Sequence, residues 1–77
     1  NPEERLVAND RLQRVQRLFN ALPVTLRTAL QLRDIEGLSY HEAAEAMGIT
    51  EGAFKVTLHR ARTALRTQYE KIELYGL

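Results

Sequence analysis

Residues 38–62 read LSYHEAAEAMGITEGAFKVTLHRAR and contain the start and stop signals of two consecutive helices. Ser39 precedes Glu42 by three residues, which is a capping box that begins a short helix immediately after Ser39. Gly48 predicts the left-handed residue that ends this helix, and Thr50 predicts the N-cap of the next one. A short helix, a turn containing glycine and a longer helix are typical of a helix-turn-helix.

The longer of these two helices has one apolar stripe, which predicts the side that it buries. Successive members are three or four residues apart and share one helix face: Phe54, Leu58, Ala61, Leu65, Tyr69 and Ile72. Two helices that cross closely need a small residue at the crossing, and Ala44 supplies it. We therefore predict a helix-turn-helix over about residues 39–66, although a generic helical hairpin has a similar pattern.

Two further helices precede this unit, and no stretch predicts a strand. The first spans about residues 4–22 and the second about residues 24–36, with Pro23 between them and Gly37 at the end. Apolar residues surround most of the second helix, which indicates a central, buried element: Leu26, Ala29, Leu30, Leu32 and Ile35. The sequence therefore predicts an all-α domain of four helices.

Length and composition limit the classes of protein that this chain can represent. Its 77 residues, 44% of them apolar and 27% charged, predict one globular domain over residues 1–77. The absence of cysteine excludes a disulfide framework and a thiolate metal site, and is typical of the reducing cytoplasm, where we expect the protein. No apolar run approaches the roughly 18 residues of a membrane span. Because the chain begins with Asn1 rather than Met, we expect it to be a piece of a longer protein.

The net charge of +1 conceals a strong separation of charge along the chain. Residues 34–51 contain five acids and neither Lys nor Arg, whereas residues 52–71 contain five bases and one acid. Two solvated helix faces that differ by chance are one interpretation. The other is an oriented molecule whose basic element, the last helix, faces a polyanion such as DNA.

The outer side of the last helix carries the residues expected at a DNA interface. A recognition helix reaches base edges with its N-terminal half, and basic residues further along contact phosphates. The base-edge candidates are Lys55, Val56, His59 and Arg60, and the phosphate candidates are Arg62 and Arg66. Val56 is either a contact for a thymine methyl group or an ordinary exposed apolar residue. Arg33, near the end of the second helix, either meets the last carbonyls or an acid such as Glu36, or contacts a phosphate.

These residues resemble region 4 of bacterial sigma factors. The resemblance covers about residues 10–66 and is carried by LRTALQLRDIEGLSY at 26–40, preceded by Leu22-Pro23. The further residues that resemble the extracytoplasmic-function (ECF) subgroup of the sigma-70 family are Glu42-Ala43-Ala44, Met47-Gly48-Ile49, Gly52, Lys55, Leu58-His59-Arg60-Ala61-Arg62 and Leu65-Arg66.

The resemblance implies a four-helix fold of the winged-helix-like, sigma region 4 type and a function in transcription initiation. It implies binding of double-stranded promoter DNA at the −35 element, docking on the β-subunit flap of RNA polymerase, and an anti-sigma factor as a further partner. The positions that it implies face DNA are Arg33, Tyr40, Lys55, Val56, His59 and Arg60. Val56 and Thr57 depart from the family pattern, which frequently has a Ser-Arg pair there, so the target sequence and the strength of DNA binding are open.

Alternative functions have weaker support in the sequence. One is a sigma-like module that captures an anti-sigma factor without touching DNA, and another is the output helix-turn-helix of a response regulator. Catalysis has the least support, because His41-Glu42-Ala43-Ala44-Glu45 has Glu45 where a zinc protease has its second histidine. We expect no catalytic residue, no cofactor, no metal, no small-molecule substrate and no membrane partner.

Overall fold

The computed structural model describes the backbone of residues 2–75 and the side chains of residues 10–74. Helix α1 spans Pro2–Ala21, α2 spans Val24–Leu30 and continues as a π-helical turn over Gln31–Ile35, α3 spans Tyr40–Met47, and α4 spans Glu51–Tyr75. No strand occurs within residues 2–75. The predicted all-α architecture with a helix-turn-helix is therefore confirmed, although α1 begins earlier and α4 ends later than the sequence suggested.

Local hydrogen bonds fix the ends of α3 and the start of α4. The Glu42 amide donates to Ser39 Oγ and the Ser39 amide donates to Glu42 Oε1, both at 3.0 Å, so the predicted capping box is present. Hydrogen bonding of the Glu42 carboxylate to Ser39, to its backbone amide first and to its side chain second, holds the pKa of Glu42 below its ordinary value. Gly48 has a φ of 69°, and the amides of Gly48 and Ile49 donate to carbonyls of the last turn of α3. Thr50 Oγ1 accepts from the Ala53 amide at 3.1 Å and caps α4.

The buried core belongs to α2, α3 and the first half of α4. Its members among the described side chains are Ala29, Leu30, Ala43, Ala44, Phe54, Leu58 and Ala61. Phe54 is 0% exposed and is the largest side chain in this core. Four of these seven residues are alanines, whose small side chains let the helix backbones approach closely, which explains how so small a chain excludes water from Phe54. The predicted apolar stripe of α4 is confirmed by this arrangement.

The π-helical turn at the end of α2 changes one predicted core residue. The Glu36 amide donates to the Gln31 carbonyl at 2.9 Å, a bond across five residues rather than four. This wider turn shifts the residues after Leu32 around the helix axis relative to the α-helical stripe. Ile35, predicted to be part of the buried surface of α2, is 62% exposed. That prediction was wrong because the apolar stripe was extrapolated through a turn that is not α-helical.

The molecule is elongated because two of its helices extend beyond the core. Its principal extents are 44 × 25 × 14 Å, and α4, with 25 residues, has a length of about 38 Å. Leu74 near the end of α4 is 76% exposed, and the side chains of residues 75–77 lie outside the described part of the chain. Within the part of the chain that the structure describes, no helix is both long and apolar enough to cross a membrane.

Candidate nucleic-acid interface

Helix α4 begins directly after the turn that ends α3, and the outer face of its N-terminal half points to solvent. Lys55, Val56, His59 and Arg60 are all exposed there, as the sequence predicted. Val56 is 51% exposed and has no place in the core. Among the side chains of residues 10–74, His59 and Arg60 form no ion pair and no side-chain hydrogen bond. In His59, Arg60 and Val56 this face therefore presents ring and guanidinium nitrogens and one apolar group that no described part of the protein engages.

Tyr40 connects this face to the core, at the first residue of α3. Its ring lies 6.2 Å from the ring of Phe54, measured between centroids. The guanidinium carbon of Arg33 lies 4.5 Å from the Tyr40 centroid, and Lys55 Nζ lies 5.3 Å from it. Both distances are typical of cation–π contacts. The structure thus brings together Arg33, Tyr40 and Lys55, three of the predicted DNA-facing residues from three different elements.

Arg33 also has a structural partner. Its Nη1 donates to the Leu38 carbonyl at 2.7 Å, so the side chain closes the loop between the π-helical turn and α3. The sequence offered the last carbonyls of the helix or Glu36 as partners, whereas the observed acceptor, Leu38, lies in the loop beyond the helix, and the phosphate contact stays a prediction. A guanidinium has five N–H donors, so this bond leaves others for a phosphate.

Arg62 has a partner that the sequence analysis missed. Its Nε and Nη2 atoms donate to the two carboxylate oxygens of Asp34, at 3.0 and 2.5 Å. This hydrogen bonding is the main reason why the pKa of Asp34 is below, and that of Arg62 above, its ordinary value. The apolar faces of α2 and α4 indicate that the two helices pack together. They do not indicate that Asp34 and Arg62, 28 positions apart, face each other, because helix periodicity does not set the register between two helices.

Arg66 lies one turn beyond Arg62 and is exposed on the same flank of α4. Four residues advance an α-helix by about 6 Å, which places this cation further from the base-reading end. Arg66 forms no ion pair among the described side chains. The structure therefore separates the two predicted phosphate contacts: Arg62 is paired and Arg66 is not.

An apolar groove opens between α1, the end of α2 and α4. It has a volume of about 680 Å³ and is lined mainly by Leu12, Val15, Phe19, Leu30, Ile35 and Leu65. Ile35, which lies outside the buried core, is one of the residues that line this groove. Asp34 also lines it, so the Asp34–Arg62 pair stands at the boundary between the groove and the basic flank.

The residues that superficially resemble a zinc-protease pattern lie on a solvated face of α3. His41 Nε2 is 3.4 Å from Glu45 Oε1, and both side chains are largely exposed. Among the described residues, no group of three or more His, Asp or Glu side chains is placed to hold a metal ion. The capping box and this exposed pair account for the composition of α3.

Comparisons with known proteins agree with this geometry. The family model for sigma-70 region 4 matches residues 12–65. The ECF RNA polymerase sigma-E factor of Escherichia coli (strain K12) is 35% identical over 72 residues, which are 94% of this chain and 38% of that protein. The ECF RNA polymerase sigma factor SigD of Mycobacterium bovis is 39% identical over 67 residues, which are 87% of this chain and 32% of that protein. No solved structure gives a significant match.

The chain thus spans just over one third of the length of the curated relatives that it matches first. The family match covers the second half of α1, all of α2 with its π-helical turn, α3, the turn after it and the first part of α4. Together these form the helix-turn-helix and the helices that support it. The same residues hold the exposed base-edge candidates and the Tyr40 cluster. The chain belongs to the sigma-70 region 4 family, in its ECF subgroup.

Proposed function

We propose that this domain binds the −35 element of promoter DNA through the outer face of α4, as part of a sigma factor that directs RNA polymerase to initiate transcription. The observation that carries the proposal is the exposed set Lys55, Val56, His59 and Arg60 on the N-terminal half of a helix held in place by a helix-turn-helix. Such a half-helix fits the major groove, where base edges are distinguishable.

The residues have different roles in this interface. Arg60 and Lys55 are long cationic donors suited to guanine edges, and His59 supplies a shorter ring nitrogen. Val56 offers only methyl groups, which suit a thymine methyl. Thr57 does not substitute for the frequent arginine of the family, because its hydroxyl already donates to the Ala53 carbonyl at 2.8 Å.

Phosphate contacts set the position of the domain on the duplex. Arg66 is the flank residue with no ion pair among the described side chains, and Arg33 retains free donors beside Tyr40. Arg62 is a further cation of this flank, although its guanidinium is paired with Asp34. So small a surface neutralises few phosphates, so we expect weak intrinsic affinity for DNA. The logarithm of the binding constant should fall by about 0.9 per phosphate contact for each tenfold rise in salt concentration.

Fluorescence anisotropy tests this assignment with two labelled duplexes, one selected by the domain from a randomised pool and one scrambled. Arg60→Gln should reduce discrimination between the two duplexes, at a cost of about 1–3 kcal/mol on the selected one. Arg66→Gln should weaken both duplexes alike and reduce the salt slope by about 0.9. Lys71→Gln, which removes a charge from the distal part of α4, is the matched control. Unchanged isotherms for both Arg60 and Arg66 variants would show that α4 is oriented differently.

The role of Val56 is tested by changing one methyl group of the DNA and comparing the wild type with Val56→Ala. Replacing a single thymine of the selected duplex with uracil removes one methyl group and nothing else. At the base that Val56 contacts, this replacement should weaken the wild-type protein and have no effect on Val56→Ala. If no thymine position behaves in this way, Val56 is an ordinary exposed residue.

The apolar groove supports the second partner, RNA polymerase. We assign it to apolar side chains of the β-subunit flap, because Leu12 and Ile35 expose apolar surface there that the domain leaves uncovered. Ile35→Lys should weaken a pull-down of the β flap and leave DNA binding intact. Loss of DNA binding instead would assign the groove side to the duplex.

Capture of an anti-sigma factor without DNA contact is the competing function, and the comparisons do not favour it over promoter binding. The two functions make opposite predictions for α4: an anti-sigma module tolerates Arg60→Gln, whereas a DNA reader does not. The region 4 match does not favour the output domain of a response regulator.

A further inference from the structure

One ion pair joins two different helical elements in residues 10–74, where side chains are described. Arg62 of α4 holds Asp34 of the π-helical turn through two parallel hydrogen bonds, from Nε and Nη2. The other two ion pairs among these residues, Arg14–Asp10 and His41–Glu45, each lie within one helix. The Arg62 and Asp34 side chains are 46% and 37% exposed, so the pair lies at the surface beside the proposed DNA interface.

The location of Arg62 makes this pairing consequential. It follows Lys55 by seven residues, which on an α-helix returns to within about 20° of the same direction and advances by about 10.5 Å. Arg66 follows on the same flank. Lys55, Arg62 and Arg66 therefore form a row of cations along one side of α4, and a row of this kind follows a phosphate backbone. Asp34 contacts the middle member.

A carboxylate satisfies a guanidinium in the same way as a phosphate does. Both accept two parallel N–H bonds from the planar edge of arginine and neutralise its charge. Asp34 lies in the π-helical turn next to Arg33, and it is Asp34, not another acid, that accepts both bonds from Arg62. The lowered pKa of Asp34 means that this carboxylate is charged at neutral pH.

We propose that Asp34 is an internal substitute for a DNA phosphate, which occupies Arg62 and limits the intrinsic affinity of the domain for duplex DNA. This inference rests on the proposed function, because it concerns the same interface. Phosphate contacts add affinity without reading sequence. With Arg62 occupied, binding depends more on the base contacts of α4, and the domain has one sequence-independent contact fewer.

Removing the carboxylate should release the contact. Asp34→Asn should strengthen binding of the selected and scrambled duplexes alike and steepen the salt slope by about 0.9. The ratio of variant to wild-type affinity then grows about eightfold for each tenfold dilution of salt. Arg62→Gln should leave the slope at the wild-type value, and the double variant should behave as Arg62→Gln alone. Thermal unfolding checks that all variants fold, since an exposed pair contributes about 0–1 kcal/mol.

Glu36→Gln is the matched control, because it removes an exposed negative charge two residues from Asp34 without touching the pair. An equal gain from Glu36→Gln would overturn the proposal, since the effect would then be general repulsion of DNA. A slope reduced by about 0.9 in Arg62→Gln would also overturn it, because Arg62 would already contact a phosphate in the wild type.

Different results would contradict the proposed DNA binding and the proposed role of Asp34. If the wild type binds and Arg60→Gln loses discrimination, but Asp34→Asn is unchanged, only the role of Asp34 is contradicted. If wild type and Asp34→Asn both fail to bind any duplex at low salt, both the proposed function and this inference are contradicted.

Discussion

The two halves of the molecule differ in how completely their apolar side chains are buried. In the half formed by α2, α3 and the first part of α4, seven apolar side chains are buried and Phe54 is fully enclosed. In the other half, none of the described side chains of α1 is buried, and Phe19 and Val15 are only half-buried. The groove between α1 and the rest remains open.

This difference indicates what each half is for. Reading base edges requires that α4 hold one orientation, and its inner face is therefore packed against α2 and α3 with small residues at the crossings. An uncovered apolar groove beside α1 gains from a partner that fills it. The tightly packed half thus carries the proposed DNA interface, and the loosely packed half carries the groove that we propose for a protein partner.

Truncating one phenylalanine in each half tests whether the two halves contribute differently to stability. Phe54→Ala should cost about 3–5 kcal/mol, because a fully buried aromatic leaves a cavity. For a 77-residue domain that is a large part of the total stability, so this variant is expected to be mostly unfolded. Phe19→Ala, the matched control in α1, should cost clearly less. Equal losses in chemical denaturation would show that the halves are equally important to the fold.

The capping box tests whether the rigid half is also fixed by local hydrogen bonds. Ser39→Ala removes the side-chain acceptor of the Glu42 amide and should cost about 1 kcal/mol in denaturant unfolding. The pKa of Glu42, followed by NMR, should rise toward its ordinary value, since one bond to Ser39 is lost. A Glu42 pKa that stays unchanged would show that the box does not form in solution.

Gly52 separates the stability of α4 from its proposed binding. A Cβ added there meets no protein atom within 4 Å, so Gly52→Ala should stabilise the helix by about 0.5–1 kcal/mol. If the glycine allows the DNA backbone to approach α4 closely, the same variant should bind the selected duplex more weakly. More stable protein with undiminished binding would remove Gly52 from the interface.

The Asp34–Arg62 pair should have the smallest effect, visible as a pH dependence. Because Arg62 lowers the pKa of Asp34, the pair stabilises the fold fully above the ordinary carboxyl pKa of about 3.9. This stabilisation, less than about 1 kcal/mol for an exposed pair, is lost as the pH falls through the lowered pKa of the folded state. Asp34→Asn should therefore differ from the wild type at pH 5 and converge with it only once the pH has fallen below that lowered pKa. Parallel stability curves would mean that the pair does not form in solution.

Much of the fold was predictable because its signals are local. The capping box at Ser39, the left-handed Gly48 and the cap at Thr50 each depend on hydrogen bonds within a few residues. The inner stripe of α4 followed from helix periodicity, and the same periodicity placed Val56 and Arg60 outside.

Other features depend on how helices pack, which periodicity does not determine. The Asp34–Arg62 pair requires the register between α2 and α4, and the π-helical turn that exposes Ile35 has no signal in the apolar pattern. The clustering of Arg33 and Lys55 on Tyr40 likewise needs three elements in their final positions. The residue types of the candidate site were therefore predictable, whereas their partners within the protein were not.

The outer face of α4, rather than the groove beside α1, is the surface that we propose meets DNA. NMR titration of the ¹⁵N-labelled domain with its selected duplex tests this most directly, because every amide reports separately. We predict the largest shift changes at Gly52, Val56 and Arg60, with Val15 and Phe19 of the groove unaffected. Changes centred on the groove, or none at low salt, would contradict the account.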